Sequence, residues 1–150
     1  LEGQAAEWAA ERATEADIMR LDQTFAALMA AFESDDTQMR SDADIAFHQA
    51  IGDAAHNVLI GHLSGALLRL MHDNIRLNLG ELKSVPAAGR LLKSQHEAIY
   101  KAVRENKPQA ARSAAETHID FVRETLAQTL RSVARRETAE RRLNTEFTTS

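Results

Sequence analysis

Asp44-Ile45-Ala46-Phe47-His48-Gln49-Ala50-Ile51-Gly52-Asp53-Ala54-Ala55 is the stretch on which the reading of this chain turns. Asp44, His48, Ile51 and Ala55 follow the i, i+4, i+7, i+11 spacing of one face of an α-helix. That face is otherwise apolar, yet it carries a carboxylate and an imidazole one turn apart. Side chains at i and i+4 on a helix have Cβ atoms roughly 5–6 Å apart, close enough to reach a single divalent ion. The segment therefore predicts both a helix and a chemically active inward stripe.

Outward from this helix, composition favours more of the same. Ala, Leu, Glu, Arg and Gln are good helix formers and dominate the chain. Only 2 Pro and 6 Gly interrupt it, and no β-branched run alternates with polar residues. A length of 150 residues suits one domain with a real core. The expected fold is all-α, an antiparallel bundle of about six helices with a metal site buried inside. The absence of cysteine excludes disulfides, a thiol nucleophile and thiolate metal ligands, and fits a reducing cytoplasm. A formal net charge of -4 argues against broad electrostatic binding of nucleic acid by this segment. No apolar run approaches the roughly 18–20 residues that span a bilayer, and no signal peptide is present, so no membrane partner is expected.

Six helical segments follow from periodicity and punctuation. The first covers residues 2–13, with Ala5, Trp8, Ala9 and Ala13 on one face. Thr14 and Asp17 form a capping box that starts the second, which runs to Phe32 with Ile18, Leu21, Phe25, Leu28 and Met29 inward. Residues 33–37 are a polar break, and the third helix spans 38–55. Asn57 caps a fourth helix over 58–79, whose apolar stripe of Leu59, Leu63, Ala66, Leu67, Leu70 and Ile75 is expected to face the core. Gly80 stops it, residues 81–86 form a loop, and Pro86 opens the fifth helix at its first position. Leu92, His96, Ile99 and Val103 line that helix. Pro108 opens the sixth, where Ala111, Ala115, His118 and Val122 share a face. The stretch from Arg131 to Arg142 is heavily charged and lacks a clear apolar stripe, so residues 131–150 read as an extension beyond a domain at 1–130, fraying from Thr145.

His96 and His118 thus lie on apolar faces, as do Asp44 and His48. An unpaired buried carboxylate is costly, and four such groups on three inward stripes are better explained by an ion than by chance. Asp44, His48, His96 and His118 are the predicted ligands, and imidazole with carboxylate suits a divalent ion such as zinc or nickel. The other histidines, His56, His62 and His72, read as surface residues. Several enzyme patterns fail on inspection: Tyr100 occupies the position that a second His would take after His96-Glu97, no Glu-x-x-His pair occurs, and no nucleophile elbow occurs. A metal-dependent hydrolase or lyase built on a mononuclear site of three His and one Asp is the alternative, though no separate general base accompanies the quartet.

Four patterns carry a family resemblance: Asp44-x-x-Phe47-His48-x-x-Ile51; Ala54-x-His56-Asn57-x-Leu59; Gln95-His96-x-x-Ile99-x-x-Ala102-Val103; and Ala110-Ala111-x-x-Ala114-Ala115-x-x-His118. Together with the opening Leu1-Glu2-x-x-Ala5-Ala6-x-x-Ala9-Ala10-Glu11-Arg12, they resemble the FadR C-terminal (FCD) ligand-binding domain of GntR-family bacterial transcription regulators. The resemblance covers residues 1–130, and its nearest look is to the branch answering to lactate, glycolate or pyruvate-type acids. It implies a divalent metal on Asp44, His48, His96 and His118, with a small organic acid, a 2-hydroxy or 2-oxo acid, at the metal's open positions. It further implies a homodimer and an upstream winged helix-turn-helix domain, absent from this chain, that binds DNA; a start at Leu1 without Met agrees with a fragment. Asn57, Asn74 and Arg76 are candidate polar partners for the effector, chosen for position and chemistry.

Overall fold

The computed structural model describes the backbone of residues 1–78 and 86–148, and the side chains of residues 1–73 and 88–143. It contains six helices: α1 (Glu2–Arg12), α2 (Glu15–Phe32), α3 (Thr37–Ala54), α4 (Val58–Asn78), α5 (Pro86–Arg104) and α6 (Pro108–Thr148). The described residues contain no strand. The expected stop at Gly80 and the loop that follows it lie outside the described residues.

Local chemistry sets the boundaries. Thr14 Oγ1 accepts from the backbone N–H of Asp17, while Asp17 Oδ2 accepts from the backbone N–H of Thr14 at 2.8 Å, the reciprocal pair of a capping box. Asp36 caps α3 through both Gln38 and Met39 N–H groups. Helix α5 ends in a left-handed residue, Asn106, at φ 52°. There the Lys107 N–H reaches the Ala102 carbonyl and the Asn106 N–H reaches Val103, which is the Schellman arrangement. Pro108, with no N–H to lose, then begins α6.

Helix α1 packs chiefly on α6, α2 on α3, α5 on α6 and α3 on α4, with α1 also crossing α3 and α5. Small residues make the α1–α6 contact close: Ala5, Ala6, Ala9 and Ala10 are buried on one side, Ala111 and Ala115 on the other. Trp8, expected inward, is only half-buried, with the Arg12 guanidinium 4.4 Å over its ring. Leu21, Leu28, Phe47, Ile51, Ile99 and Val103 fill the centre. Phe25 and Tyr100 stack there with ring centres 3.9 Å apart, and the Tyr100 hydroxyl donates to Asp22.

Helix α4 departs from expectation. Among its described side chains the buried ones are Gly61, Ser64, Gly65 and Leu68, whereas Leu59, Leu63, Ala66, Leu67 and Leu70 are exposed; Ile75 lies outside the described side chains. The leucine stripe therefore faces away from this bundle. Close approach of α3 and α4 explains the choice, because a Cβ added at Gly52 would lie 3.6 Å from the Gly61 Cα. Only small residues fit a crossing that tight, so the glycine face turns in and the leucines turn out. Helix α6 continues to Thr148, past the point at Thr145 where fraying was expected, and the charged stretch 131–142 is an exposed helix.

Candidate metal centre

Helices α3, α5 and α6 each deliver one buried imidazole to the middle of the bundle: His48, His96 and His118 are 1–3% exposed. One nitrogen from each lies within 4.8 Å of the others. His48 and His118 stack with ring centres 5.1 Å apart, and His96 stands 4.4 Å from His118. Phe47 packs edge-on against both His48 and His96, and Phe32 against His96, which closes the cluster on its apolar side.

Hydrogen bonds on the outer nitrogens orient the rings. His96 Nδ1 donates to the Leu92 carbonyl, one turn back on α5, at 2.8 Å. His118 Nδ1 pairs with Gln95 Oε1 at 3.1 Å. In the neutral tautomer each ring then presents a bare Nε2, the state a metal ligand needs. His48 Nε2 is 3.3 Å from His96 Nε2, within hydrogen-bond distance, and with His96 Nε2 bare the shared proton is the one on His48. Asp44 Oδ1 lies 2.7 Å from that same His96 Nε2 and 4.0 Å from His48 Nε2. The donor set is three imidazoles and one carboxylate, which fits a divalent ion of the zinc or nickel type.

Asp44 is itself held from behind. His72, on α4, donates from Nε2 to Asp44 Oδ2 at 2.7 Å, and its Nδ1 lies 3.0 Å from Ser41 Oγ. Burial pushes the Asp44 carboxyl up, but the hydrogen bond from His72, the close approach of His96 and the neighbouring imidazoles outweigh it and hold it well below the usual range. Burial is also the leading influence on two rings, lowering His48 to about 4 and His118 to about 2. Both therefore remain neutral near pH 7 and available as ligands. On its other edge, His48 Nδ1 faces Glu2 Oε2 at 3.8 Å. Glu2 is 6% exposed, and burial raises its pKa.

Comparison with protein-family models matches residues 1–121 to the FCD domain. This chain is an FCD domain. It is 30% identical over 129 residues to the Glc operon transcriptional activator of Escherichia coli (strain K12), a match covering 84% of this chain and 51% of that protein. It is 29% identical over 126 residues to the putative L-lactate dehydrogenase operon regulatory protein of the same strain, covering 84% and 47% respectively. The FCD domain thus spans about half the length of these curated relatives. Among solved structures, E. coli McbR/YncC shares the fold, with a TM-score of 0.70 at 17% identity over 88% of this chain and 60% of that one. The relatives are GntR-family transcription regulators, not enzymes. No described helix is long and apolar enough to cross a membrane.

The FCD domain gathers His48, His96 and His118 in one buried cluster and sets Asp44 beside His96 and His48. It gives Asn57 a structural task, since Asn57 Oδ1 accepts from the Ile60 N–H at 3.0 Å and caps α4. The side chains of Asn74 and Arg76 lie outside the described residues. His72, read as a surface residue, instead bonds Asp44 and has a side chain only 15% exposed. The signal for it was present: His72 continues the Gly61, Ser64, Gly65, Leu68 stripe by one turn. Glu2 and Gln95 carried no spacing that marked them as neighbours of the site.

Proposed function

We propose that this FCD domain is the effector-sensing part of a cytoplasmic, homodimeric transcription regulator. In this reading Asp44, His48, His96 and His118 hold a divalent ion, zinc or nickel, and a small 2-hydroxy or 2-oxo acid binds beside it. Occupancy controls DNA binding by a winged helix-turn-helix domain upstream. The observation that carries the reading is three buried imidazole nitrogens gathered within 4.8 Å of one another, with the Asp44 carboxylate 2.7 Å from one of them. When bound, the ion supplies a concentrated positive charge inside an apolar bundle, where a carboxylate finds few other partners. The buried Ile51 and Ile99, with the half-buried Val122, limit the size of what enters. Asn57, Asn74 and Arg76 remain candidates for contacts to the rest of the effector. The name of one relative ties it to the operon of L-lactate dehydrogenase, and lactate is a 2-hydroxy acid.

Control of DNA binding requires that the effector bind two arrangements of the bundle unequally. The test is a pair of calorimetric titrations with lactate and pyruvate, on metal-loaded and on chelator-stripped protein. Binding to the loaded form alone is expected. Ligand that binds only the folded state stabilises it by about 2.7 kcal/mol at a hundredfold excess over Kd. Equal affinity in both forms would break the link between metal and effector.

A further inference from the structure

Helix α4 has two opposite faces. Gly61, Ser64, Gly65 and Leu68 are buried against the bundle. On the other side Leu59, Leu63, Leu67 and Leu70 are 68%, 49%, 42% and 59% exposed, and Val58 at the helix start is 78% exposed. At 3.6 residues per turn, Leu59, Leu63, Ala66 and Leu70 fall within about 60° of one another around the helix axis. No carboxylate interrupts the sequence from Val58 to Leu70. A contiguous apolar face of this kind on a globular domain marks an interaction surface.

The spacing selects the partner. Leu59, Leu63, Ala66 and Leu70 are separated by four, three and four residues. That is the spacing of a seam between two packed helices, and it reads the same in both directions. A second copy of α4 laid antiparallel therefore sets Leu59 of each copy against Leu70 of the other, and Leu63 against Ala66. A two-fold contact has this reciprocal form, with residue i touching j and j touching i. The area is also sufficient. The five exposed side chains offer roughly 500 Å² per copy, so pairing withdraws on the order of 1,000 Å² in total, the lower bound of a specific interface.

We propose that the outward face of α4 is the surface on which two copies of this chain pair, with their α4 helices antiparallel. This rests on the homodimer reading given above and assigns it a surface. The inner edge of the same helix carries His72, which bonds Asp44, so the helix shared between two copies is also the one that props the candidate metal centre. The stripe is no part of the bundle's own core, so substitutions on it act on association and leave the fold of the single chain unchanged.

The experiment is sedimentation equilibrium of the chain between about 1 and about 200 μM, a range that spans the expected Kd of about 10 μM for an interface at the low end of the size range. Leu59→Lys and Leu70→Glu each bury an unpaired charge in the seam, and each should weaken self-association at least about tenfold. An equimolar mixture of the two variants should restore a dimer, because the two introduced charges then face each other. Each variant at about 1 μM, where monomer prevails, should keep the wild-type Tm. A dimer that both variants retain overturns the α4 face and leaves the homodimer reading standing. A wild type that stays monomeric at about 200 μM overturns the interface and with it a homodimer held by this domain. A mixture that stays monomeric overturns the antiparallel register, and the proposal with it. A variant that melts well below wild type places its leucine in the core, which overturns the outward face.

Discussion

At the scale of single residues, His72 shows how the candidate centre depends on a side chain that cannot itself belong to the cluster of three imidazoles. It fixes Asp44 Oδ2, leaving Oδ1 turned toward His96. Groups that orient ligands in this way typically account for 10–100-fold in metal affinity. His72→Ala should therefore keep the fold and weaken zinc binding by about that factor, read by chelator competition. Unchanged affinity would show that Asp44 needs no support. A second expectation concerns acid. Burial lowers His48 to about 4 and His118 to about 2, below the ordinary 6.5 that both regain on unfolding. Between those values the unfolded chain binds more protons than the folded one. The stability of metal-free protein is then fully present above pH 6.5 and is lost as pH falls toward 4 and below. Melting curves of chelator-treated protein from pH 8 to 4 check this, and a Tm that rises on acidification from 6.5 would contradict it. The inward grouping of Asp44, His48, His96 and His118 was legible because buried polar groups on an apolar stripe are costly enough to demand a reason. Glu2 and Gln95 were not, because each is ordinary in its own helix and acquires meaning only from a neighbouring one.

At the scale of elements, α4 separates hydrophobic pattern from buried pattern. A leucine stripe read alone predicts the core face, as it does correctly for Leu92, Ile99 and Val103 on α5. On α4 that rule gives the wrong phase. The closeness of the α3 crossing at Gly52 and Gly61 selects small residues, and no feature within α4 announces how near its neighbour lies. The assignment can be checked with two substitutions. Leu68→Ala, at a position 3% exposed, should cost about 2–5 kcal/mol. Leu63→Gln, at a position 49% exposed, should change stability by no more than about 0.5 kcal/mol in the isolated chain. Chemical denaturation of both variants measures the contrast, and a reversed order would restore the leucine face to the core. Helix ends were far more legible, because the capping box at Thr14 and Asp17, the left-handed Asn106 and the prolines at 86 and 108 act locally and require no knowledge of the partner helix.

At the scale of the whole molecule, the all-helical class followed from composition and punctuation, and the bundle was readable because five of its helices show their inner faces plainly. The domain by itself carries a net charge of -4, so it should bind DNA no tighter than a weak, salt-sensitive background. A fluorescence-anisotropy titration with duplex DNA tests this, and sub-micromolar affinity of these 150 residues would contradict it. Helix α6 ties the interior of the molecule to its exterior. His118 sits in the centre of the bundle, and the same unbroken helix runs on to Thr148, largely exposed over the described side chains from 131 to 143. Thirty residues at 1.5 Å each make that span about 45 Å long. It is a lever whose short arm touches the buried imidazoles: a tilt of about 5° at the fulcrum would sweep its far tip through about 4 Å.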